Sequence, residues 1–273
     1  MLFRSPLVVL VAALLVAGRQ QVTPAPHGEV SFMAVQPNIG LGEKSAAGGE
    51  IGIFEEHCRL VAEKLATSEQ LAPQLLLWAE TMFLLPVTLS GSSGEIRRPR
   101  RGFPEQHAVN TAEEVLELQT TAARYAAEVV VDGGFFLTGA HLYRAISADA
   151  PTEQTSPRGS ETLVFSKDGE LLHHVGKSEL VPFGESLPFG GNFPGSRSLA
   201  RFIFDNFGLS PNFLRAKVPT PLSLVFADGR ELKLGTAICW ENAYEHVFRE
   251  QAAAGAEAFC VISNEAWYGI GAE

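Results

Sequence analysis

Residues 231–263, ELKLGTAICWENAYEHVFREQAAAGAEAFCVIS, decide the fold. An apolar strand, Glu231 to Ile238, is followed by a helix, Asn242 to Ala254, and then by a second strand, Ala258 to Ser263. Cys239 stands between the first strand and the helix. This strand–helix–strand alternation predicts an α/β domain built from layers of sheet and helix.

The chain upstream continues the alternation. We predict strands at Val30 to Val35, Gln74 to Trp78 and Phe135 to Gly139, and helices at Ile51 to Leu65 and Thr111 to Ala127. Two hairpins are also predicted, from Thr162 to Phe165 into Leu171 to Val175 and from Ser223 to Phe226 into Glu231 to Ile238. Their turns are Lys167-Asp168-Gly169 and Ala227-Asp228-Gly229.

Composition and charge exclude several classes of protein. The 273 residues are 46% hydrophobic and 19% charged, which is typical of a folded globular protein. The net charge of −10 disfavours binding to nucleic acids. The three cysteines, Cys58, Cys239 and Cys260, are too few for a disulfide framework or a zinc site, so at least one thiol is unpaired.

The first 28 residues read as a separate targeting segment. Arg4 precedes an uncharged apolar run from Leu7 to Ala17, which is shorter than the ~20 residues of a spanning helix. We therefore expect a signal peptide or a short membrane anchor, followed by one domain from residue 29 to residue 273 outside the cytoplasm.

Three residues whose side chains could take part in catalysis each follow a predicted strand. Glu80 follows the strand that ends at Trp78, and Lys177 follows the strand that ends at Val175. Cys239 precedes a helix for which Asn242 is the expected N-cap, and the helix dipole there favours a thiolate. Taken singly, the three signals are weak, because such residues also serve as a solvated rim carboxylate, a surface lysine and a small core side chain.

The residues around these positions form an ordered set of motifs. They are Val35-Gln36-Pro37-Asn38-Ile39, Trp78-Ala79-Glu80, Gly176-Lys177, Leu180-Val181-Pro182-Phe183-Gly184-Glu185, Ile238-Cys239-Trp240-Glu241 and Ile262-Ser263-Asn264-Glu265-Ala266-Trp267-Tyr268-Gly269. In this order they resemble the nitrilase (carbon–nitrogen hydrolase) superfamily and, within it, the extracytoplasmic domain of the apolipoprotein N-acyltransferase family. The resemblance extends from about Glu29 to Gly269.

The resemblance implies a nitrilase-like αββα sandwich and a catalytic triad of Glu80, Lys177 and Cys239. Cys239 would carry an acyl group as a thioester, Glu80 would be the general base, and Lys177 would stabilise the oxyanion. Glu185 and Glu241 match further carboxylates that would orient Lys177 or bind the second substrate. Neither a metal nor an organic cofactor is implied.

The family's partners would be a phospholipid acyl donor, a diacylglyceryl lipoprotein acceptor and the cell membrane, with no nucleic acid. The segment Arg197 to Phe207 has the pattern of an interfacial helix, although a core-packed helix fits equally well. Arg97, Arg98, Arg100 and Arg101 are predicted to lie in a loop that meets lipid phosphates or is merely solvated.

The sequence also departs from the family pattern. Ala79, Trp240 and Glu265 replace the usual proline, tyrosine and aspartate, and Ser45 lies near a position that often holds a tryptophan. The family enzyme has several membrane helices before this domain and one after it, and its sandwich continues beyond the last motif. We therefore expect a fragment, a split gene product or a reduced paralogue that is incomplete at the C-terminus and has little or no transfer activity alone.

Two further functions remain open. One is a secreted nitrilase-family amidase that uses the same triad on a small amide, with water as the acceptor. The other is a non-catalytic remnant that acts as a binding module.

Overall fold

A computed structural model describes residues 28–40, 49–67, 72–100, 103–152, 154–207, 209 and 211–264. The apolar run from Leu7 to Ala17, Ser45 and the end of the last motif from Glu265 onward lie outside these residues.

A six-stranded mixed sheet is the centre of the described chain. Its strands are β1 (Phe32–Val35), β2 (Leu75–Trp78), β3 (Phe83–Val87), β6 (Phe135–Tyr143), β7 (Arg158–Ser166) and β8 (Leu171–Gly176). The strand order is β1-β2-β6-β7-β8, with parallel pairing from β1 to β6 and antiparallel pairing from β6 to β8. Strands β2 and β3 both pair with β6, β2 at residues 135–137 and β3 at residues 140–142. The chain between β2 and β3 therefore lies within the sheet rather than beyond its edge.

Two smaller sheets complete the strands of the described residues. The hairpin sheet pairs β4 (Glu95–Arg100) with β5 (Phe103–Thr111), and the small sheet has the order β11-β10-β9, with β9 (Leu222–Val225), β10 (Glu231–Ile238) and β11 (Ala258–Ile262). Strands β10 and β11 run parallel, with Ile238 opposite Ile262. The residues that follow these two strands are therefore neighbours.

Helices and sheets form four layers. The helices are α1 (Gly49–Thr67), α2 (Ala112–Ala127), α3 (Ser196–Phe207) and α4 (Glu245–Ala253), with 3₁₀ turns at Pro188–Gly191 and Cys239–Ala243. Helices α1 and α2 bury Trp78, Phe136 and Phe165 on one face of the large sheet. The small sheet lies on the other face, where the rings of Phe135 and Phe226 are 5.3 Å apart, and α4 packs on β10.

This arrangement confirms the predicted α/β class and matches the αββα layering that the resemblance implies. The predicted strands and helices of the described residues are present, with ends that differ by a few residues. Thr111 caps α2 as part of a capping box with Glu114.

Gly139 in β6 lies close to both the Glu80 turn and a residue of the small sheet. A Cβ atom at this position would lie 2.8 Å from Glu80 Cα, 2.8 Å from Thr81 N and 3.0 Å from Ile262 Cδ1. Any side chain here would separate the strand that leads to Glu80 from the strand that leads to Ser263. Glycine is therefore required by this close approach.

The loop predicted for the arginines is wrong where the structure describes them, because Arg97, Arg98 and Arg100 lie in β4, while Arg101 lies outside the described residues. Arg97 is only 7% exposed. Its guanidinium donates to Glu95 Oε2 at 2.8 Å and to the backbone carbonyl oxygens of residues 148, 150 and 151 at 2.8–2.9 Å. Arg98 pairs with Glu50 at 3.5 Å. The Arg97 guanidinium is thus hydrogen-bonded within the protein and is not available to bind lipid phosphates.

The N-cap predicted at Asn242 is also wrong. A 3₁₀ turn occupies Cys239–Ala243, and α4 begins at Glu245 after Tyr244. The reason is that the Glu241 carboxylate folds back to accept a hydrogen bond from the Ile238 amide at 2.8 Å. Within the described ranges, no helix is both long enough and apolar enough to cross a bilayer.

Candidate active site

Glu80 lies in the interval between β2 and β3. The next residue, Thr81, has a φ of +51°, a left-handed conformation that turns the chain between the two strands. Glu80 is 8% exposed. Its carboxylate is therefore held near the middle of the large sheet, in the crevice that Gly139 keeps narrow.

Lys177 follows β8 and is 1% exposed. Its Nζ atom is 2.9 Å from Glu185 Oε1 and 3.6 Å from Glu80 Oε1. Its backbone amide donates to Ser160 O at 2.9 Å, and its carbonyl oxygen accepts from the Ala216 amide at 3.0 Å. The ammonium group is thus fixed between two carboxylates on an immobilised stretch of backbone.

Cys239 follows β10 with a φ of +49°. Its side chain is hydrogen-bonded to Glu80 and to Ser263. The structure therefore brings together the three residues predicted for the triad, and Glu80 is the member that contacts both others.

The protonation of Cys239 differs from the expectation. Burial and then the negative charge of Glu80 raise the pKa of the Cys239 thiol to about 11, although Lys177 and Ser263 act to lower it. The prediction that the helix dipole favours a thiolate is therefore wrong, because desolvation and a carboxylate outweigh it. A thiol with this pKa needs a base to become a nucleophile, and Glu80 is the hydrogen-bonded carboxylate.

For Lys177, the neighbouring negative charges have a larger effect on the pKa than burial has. Burial lowers its pKa, but the charges of Glu185 and Glu80, together with the hydrogen bond to Glu185, raise it more. The pKa of Lys177 therefore lies above its ordinary value. A buried cation is maintained next to the sulfur, where charge develops during attack on a carbonyl group.

Glu185 and Glu241 contact protein groups. Glu185 accepts from Lys177 through Oε1 and from the Val181 amide through Oε2, the latter at 2.8 Å. Glu241, 2% exposed, accepts from the Ser178 amide at 2.7 Å and hydroxyl at 2.5 Å, as well as from Ile238. Its carboxylate therefore joins the segment that follows Lys177 to the segment that precedes Cys239.

Ser263 and Asn264 were not predicted as site residues. Ser263 hydrogen-bonds to Cys239, and Asn264 is 2% exposed and donates from Nδ2 to Ile39 O at 3.1 Å. The register of two predicted parallel strands would have placed Ser263 next to Cys239, since Ile238 and Ile262 are opposite each other. The sequence therefore indicates Ser263 as a site residue only when the pairing of these two strands is known.

An apolar cavity of about 380 Å³ lies between α3 and the loop that precedes Glu185. One wall is the loop Val181–Gly184, which leads directly into Glu185, and the other wall comes from α3 and from Leu209, two residues after the helix ends. The residues from α3 and beyond are Leu199, Phe202, Ile203, Phe207 and Leu209. This volume falls in the range of about 300–1,000 Å³ that is usual for small-ligand pockets.

Metal ligands were also considered. In the part of the chain that the structure describes, no group of three or more His, Cys, Asp or Glu side chains is arranged to hold a metal ion.

Comparisons with known proteins identify relatives of the whole domain. No family model matches the chain. An apolipoprotein N-acyltransferase of Allorhizobium ampelinum is 25% identical over 251 residues, which are 90% of this chain and 38% of that protein. An apolipoprotein N-acyltransferase of Bdellovibrio bacteriovorus is 26% identical over 247 residues, 89% of this chain and 38% of that protein. The resemblance noted in the sequence is confirmed, and the chain spans about two fifths of the length of these relatives.

Among solved structures, a carbon–nitrogen hydrolase from Helicobacter pylori aligns with 86% of this chain and 59% of its own chain. The identity is 14% and the TM-score is 0.49.

Proposed function

We propose that this protein is an N-acyltransferase that moves a fatty acyl chain from a phospholipid, through a thioester on Cys239, to the N-terminal amine of a lipoprotein. The observation that carries the proposal is the contact of one carboxylate, Glu80, with both the Cys239 thiol and the Lys177 ammonium group. A base, a nucleophile and a fixed cation are the groups that acyl transfer through a thioester requires.

The first half-reaction forms the thioester. Glu80 takes the proton from Cys239 while the sulfur attacks the carbonyl carbon of the ester, and the C=O electron pair moves onto oxygen. The Lys177 ammonium stabilises that oxyanion. When the intermediate collapses, the C–O bond of the ester breaks and the leaving alkoxide takes the proton from Glu80.

The second half-reaction transfers the acyl chain. The acceptor amine attacks the thioester carbonyl and loses a proton to Glu80. The C–S bond then breaks, the amide is released, and the sulfur takes the proton back from Glu80. Glu80 therefore serves as base and acid in turn, and Lys177 stabilises both oxyanions.

The apolar cavity supports an acyl chain as the group transferred. Its loop wall, Val181–Gly184, directly precedes Glu185, which binds Lys177, so the same loop connects the cavity to the catalytic groups. Leucine, isoleucine and phenylalanine side chains can contact an acyl chain, but they offer no hydrogen bonds to a small polar amide. The names of the relatives support the same choice of reaction.

We place the reaction at the outer surface of the cell membrane. Helix α3 exposes Phe202 (57%) and Phe207 (66%) next to the apolar cavity, with Arg201 on the same helix. Apolar side chains flanked by basic ones are typical of a helix that lies in a lipid headgroup region. Phospholipid donor and lipoprotein acceptor would both be presented there.

The proposal is tested by trapping the intermediate. The full chain is incubated with vesicles of a dipalmitoyl phospholipid, and intact-mass analysis looks for a palmitoyl adduct on Cys239 that hydroxylamine removes. A peptide with an N-terminal diacylglyceryl cysteine is then added, and we expect the adduct to disappear as the N-palmitoyl peptide forms.

The same experiment separates the other functions. Hydrolysis of a small amide without a palmitoyl adduct would replace the proposal with an amidase. Absence of both reactions, with Cys239 unreactive toward either donor, would leave a non-catalytic module.

A further inference from the structure

Arg158, the first residue of β7, carries a positive charge that no carboxylate of the described residues neutralises. The residue is half-buried, and its Nε atom is sealed from solvent without a hydrogen-bond partner, whereas its terminal nitrogens are not sealed. The other described arginines that are not exposed each have a carboxylate at 2.6–3.5 Å; they are Arg97, Arg98, Arg144 and Arg230. Partial burial of a charge without a counter-ion costs free energy and calls for an explanation.

The strand register places this arginine on the face of the large sheet that carries Glu80. Arg158 lies directly opposite Tyr143 of β6, and opposed residues of an antiparallel pair project from the same face. Side chains alternate along a strand, so His141 and Gly139 belong to that face as well. Gly139 is the position at which a Cβ atom would lie 2.8 Å from Glu80 Cα. The face that carries Arg158 therefore leads directly to the candidate base.

The ring of Phe213 holds the guanidinium near the site. Arg158 Cζ lies 4.4 Å from the centre of this ring, which also packs edge-on against the His141 ring at 5.0 Å between centroids. The Phe213 amide donates to the carbonyl oxygen of Glu185 at 3.0 Å, and the Glu185 carboxylate binds Lys177. His141 is only about 7 Å along the strand from the glycine that approaches Glu80. The guanidinium is thus held at the side of the active site.

The two reactants of the proposed reaction differ in the charge that they bring. A phospholipid always carries a negative phosphate, which is joined to the reacting ester through the glycerol backbone. The acceptor brings an N-terminal amine, which a guanidinium repels when the amine is protonated. Phosphate oxygens match the planar fork of a guanidinium and accept two parallel hydrogen bonds from it. The donor phosphate is therefore the group whose chemistry suits the unpaired terminal nitrogens of Arg158.

We infer that Arg158 binds the phosphate of the phospholipid donor and so places the ester for attack by Cys239. The inference rests on the function proposed above. Because the contact is made to the phosphate and not to the acyl chains, it distinguishes a phospholipid from an acyl ester that lacks phosphate. No bond to phosphorus forms or breaks, and the phosphate leaves with the lysophospholipid when the C–O bond of the ester is cleaved.

The test compares two acyl donors that differ in the phosphate headgroup. Dipalmitoyl phosphatidylglycerol or dipalmitoylglycerol is presented to the full chain in micelles of a nonionic detergent, and intact-mass analysis measures the rate at which a palmitoyl group appears on Cys239. Arg158→Gln removes the charge, and Arg158→Lys retains the charge without the fork. Arg215→Gln is the matched control, since the Arg215 side chain is 56% exposed and pairs with Glu179 at 3.5 Å.

We expect the wild-type chain to react faster with phosphatidylglycerol than with dipalmitoylglycerol. Arg158→Gln should lower the rate with phosphatidylglycerol about 10- to 100-fold, the rate equivalent of lost hydrogen bonds to a charged group, and keep the rate with dipalmitoylglycerol within about threefold. Arg158→Lys should lose less of the preference for phosphatidylglycerol. Arg215→Gln should retain the wild-type ratio of the two rates.

An unchanged ratio of the two rates in Arg158→Gln would overturn the inference. A parallel loss with both donors in Arg158→Gln and Arg158→Lys would overturn it too, because it would mean that Arg158 serves only to pack on Phe213. A wild-type chain that forms no thioester from either donor would overturn the proposed function itself.

Discussion

Cys260 lies within β11 of the small sheet and Cys239 directly follows the neighbouring strand β10, and the two thiols have the same raised pKa in different surroundings. Burial raises the pKa of the Cys260 thiol to about 11, the same value as that of Cys239. Cys260 lies within β11 opposite Thr236, whereas Cys239 follows its strand in a left-handed conformation and contacts Glu80 and Ser263. If Cys239 is the proposed nucleophile, the comparison indicates that its neighbouring groups, and not a lowered pKa, distinguish it from Cys260.

The largest expected effect comes from removing each thiol. Cys239→Ala should abolish formation of the acyl thioester, because no other thiol has a base and a cation beside it. Cys260→Ala and Cys58→Ala, the latter in α1, should retain it. Intact-mass analysis after loading with the palmitoyl donor measures the adduct, and a thioester in Cys239→Ala would end the comparison.

The next prediction distinguishes the role of Glu80 as a base from the effect of its charge on the pKa of Cys239. Glu80→Gln retains the shape of the side chain and removes its charge, so turnover should fall about 100-fold or more. Because the charge of Glu80 raises the pKa of Cys239, the same substitution should lower that pKa and speed alkylation of Cys239 by iodoacetamide at pH 9.

Cys260 is the internal reference for that experiment, and its alkylation should not change in Glu80→Gln. A decrease in turnover of less than tenfold, or slower alkylation of Cys239, would argue against Glu80 as the base.

A smaller effect concerns the carboxylate that positions Cys239. Glu241→Gln replaces one acceptor oxygen with an NH₂ group that faces backbone donors, so the free energy of unfolding should fall by about 1–3 kcal/mol. Turnover should fall about tenfold or more through misplacement of Lys177 and Cys239. Urea unfolding and initial rates measure the two quantities.

Glu245→Gln is the control for this change, since the Glu245 side chain is 82% exposed and pairs with Arg249 in the next turn. It should change the free energy of unfolding by no more than about 0.5 kcal/mol. Equal effects of the two substitutions would mean that the hydrogen bonds of Glu241 do not hold the site together.

The smallest contrast is in pH dependence, where the two thiols should behave alike. Each folded-state pKa of about 11 exceeds the ordinary value of 9.0, so the protonated thiols contribute stability that is fully present below pH 9 and is lost as the pH rises through about 11. In a Cys58→Ala background, alkylation of both cysteines should accelerate about tenfold per pH unit between pH 8 and pH 10. An alkylation rate of Cys239 that does not increase above pH 8 would indicate that its side chain is already a thiolate at that pH.

Local pattern was sufficient to predict the elements that carry the site. The strand that leads to Glu80 is a continuous apolar run, and buried strands are recognised by such runs. The strands that lead to Lys177 and Cys239 are the second arms of hairpins, which their Asp-Gly turns indicate. The residues that end them were therefore identified before any tertiary contact was known. Their joint assignment as a triad came from the family resemblance and not from pattern.

Features that depend on distant residues could not be predicted in this way. Arg97 has the flanks of a solvated loop, but its carbonyl partners lie some 50 residues further along the chain. The acidity of Cys239 depends on Glu80, which comes from a different sheet. The burial of Gln119 in α2 likewise depends on a distant residue, because its side-chain oxygen accepts a hydrogen bond from the Thr88 amide.

The left-handed backbone of Cys239 has a consequence for how this sequence can change over time. A side chain at a φ of +49° costs about 1–2 kcal/mol that glycine would not. Cys239→Gly should therefore unfold at a higher urea concentration than Cys239→Ala, by the equivalent of about 1 kcal/mol. Stability alone would favour glycine at this position. Under the proposed function a cysteine is retained there for its chemistry, and a lineage that lost this function should drift toward glycine at residue 239.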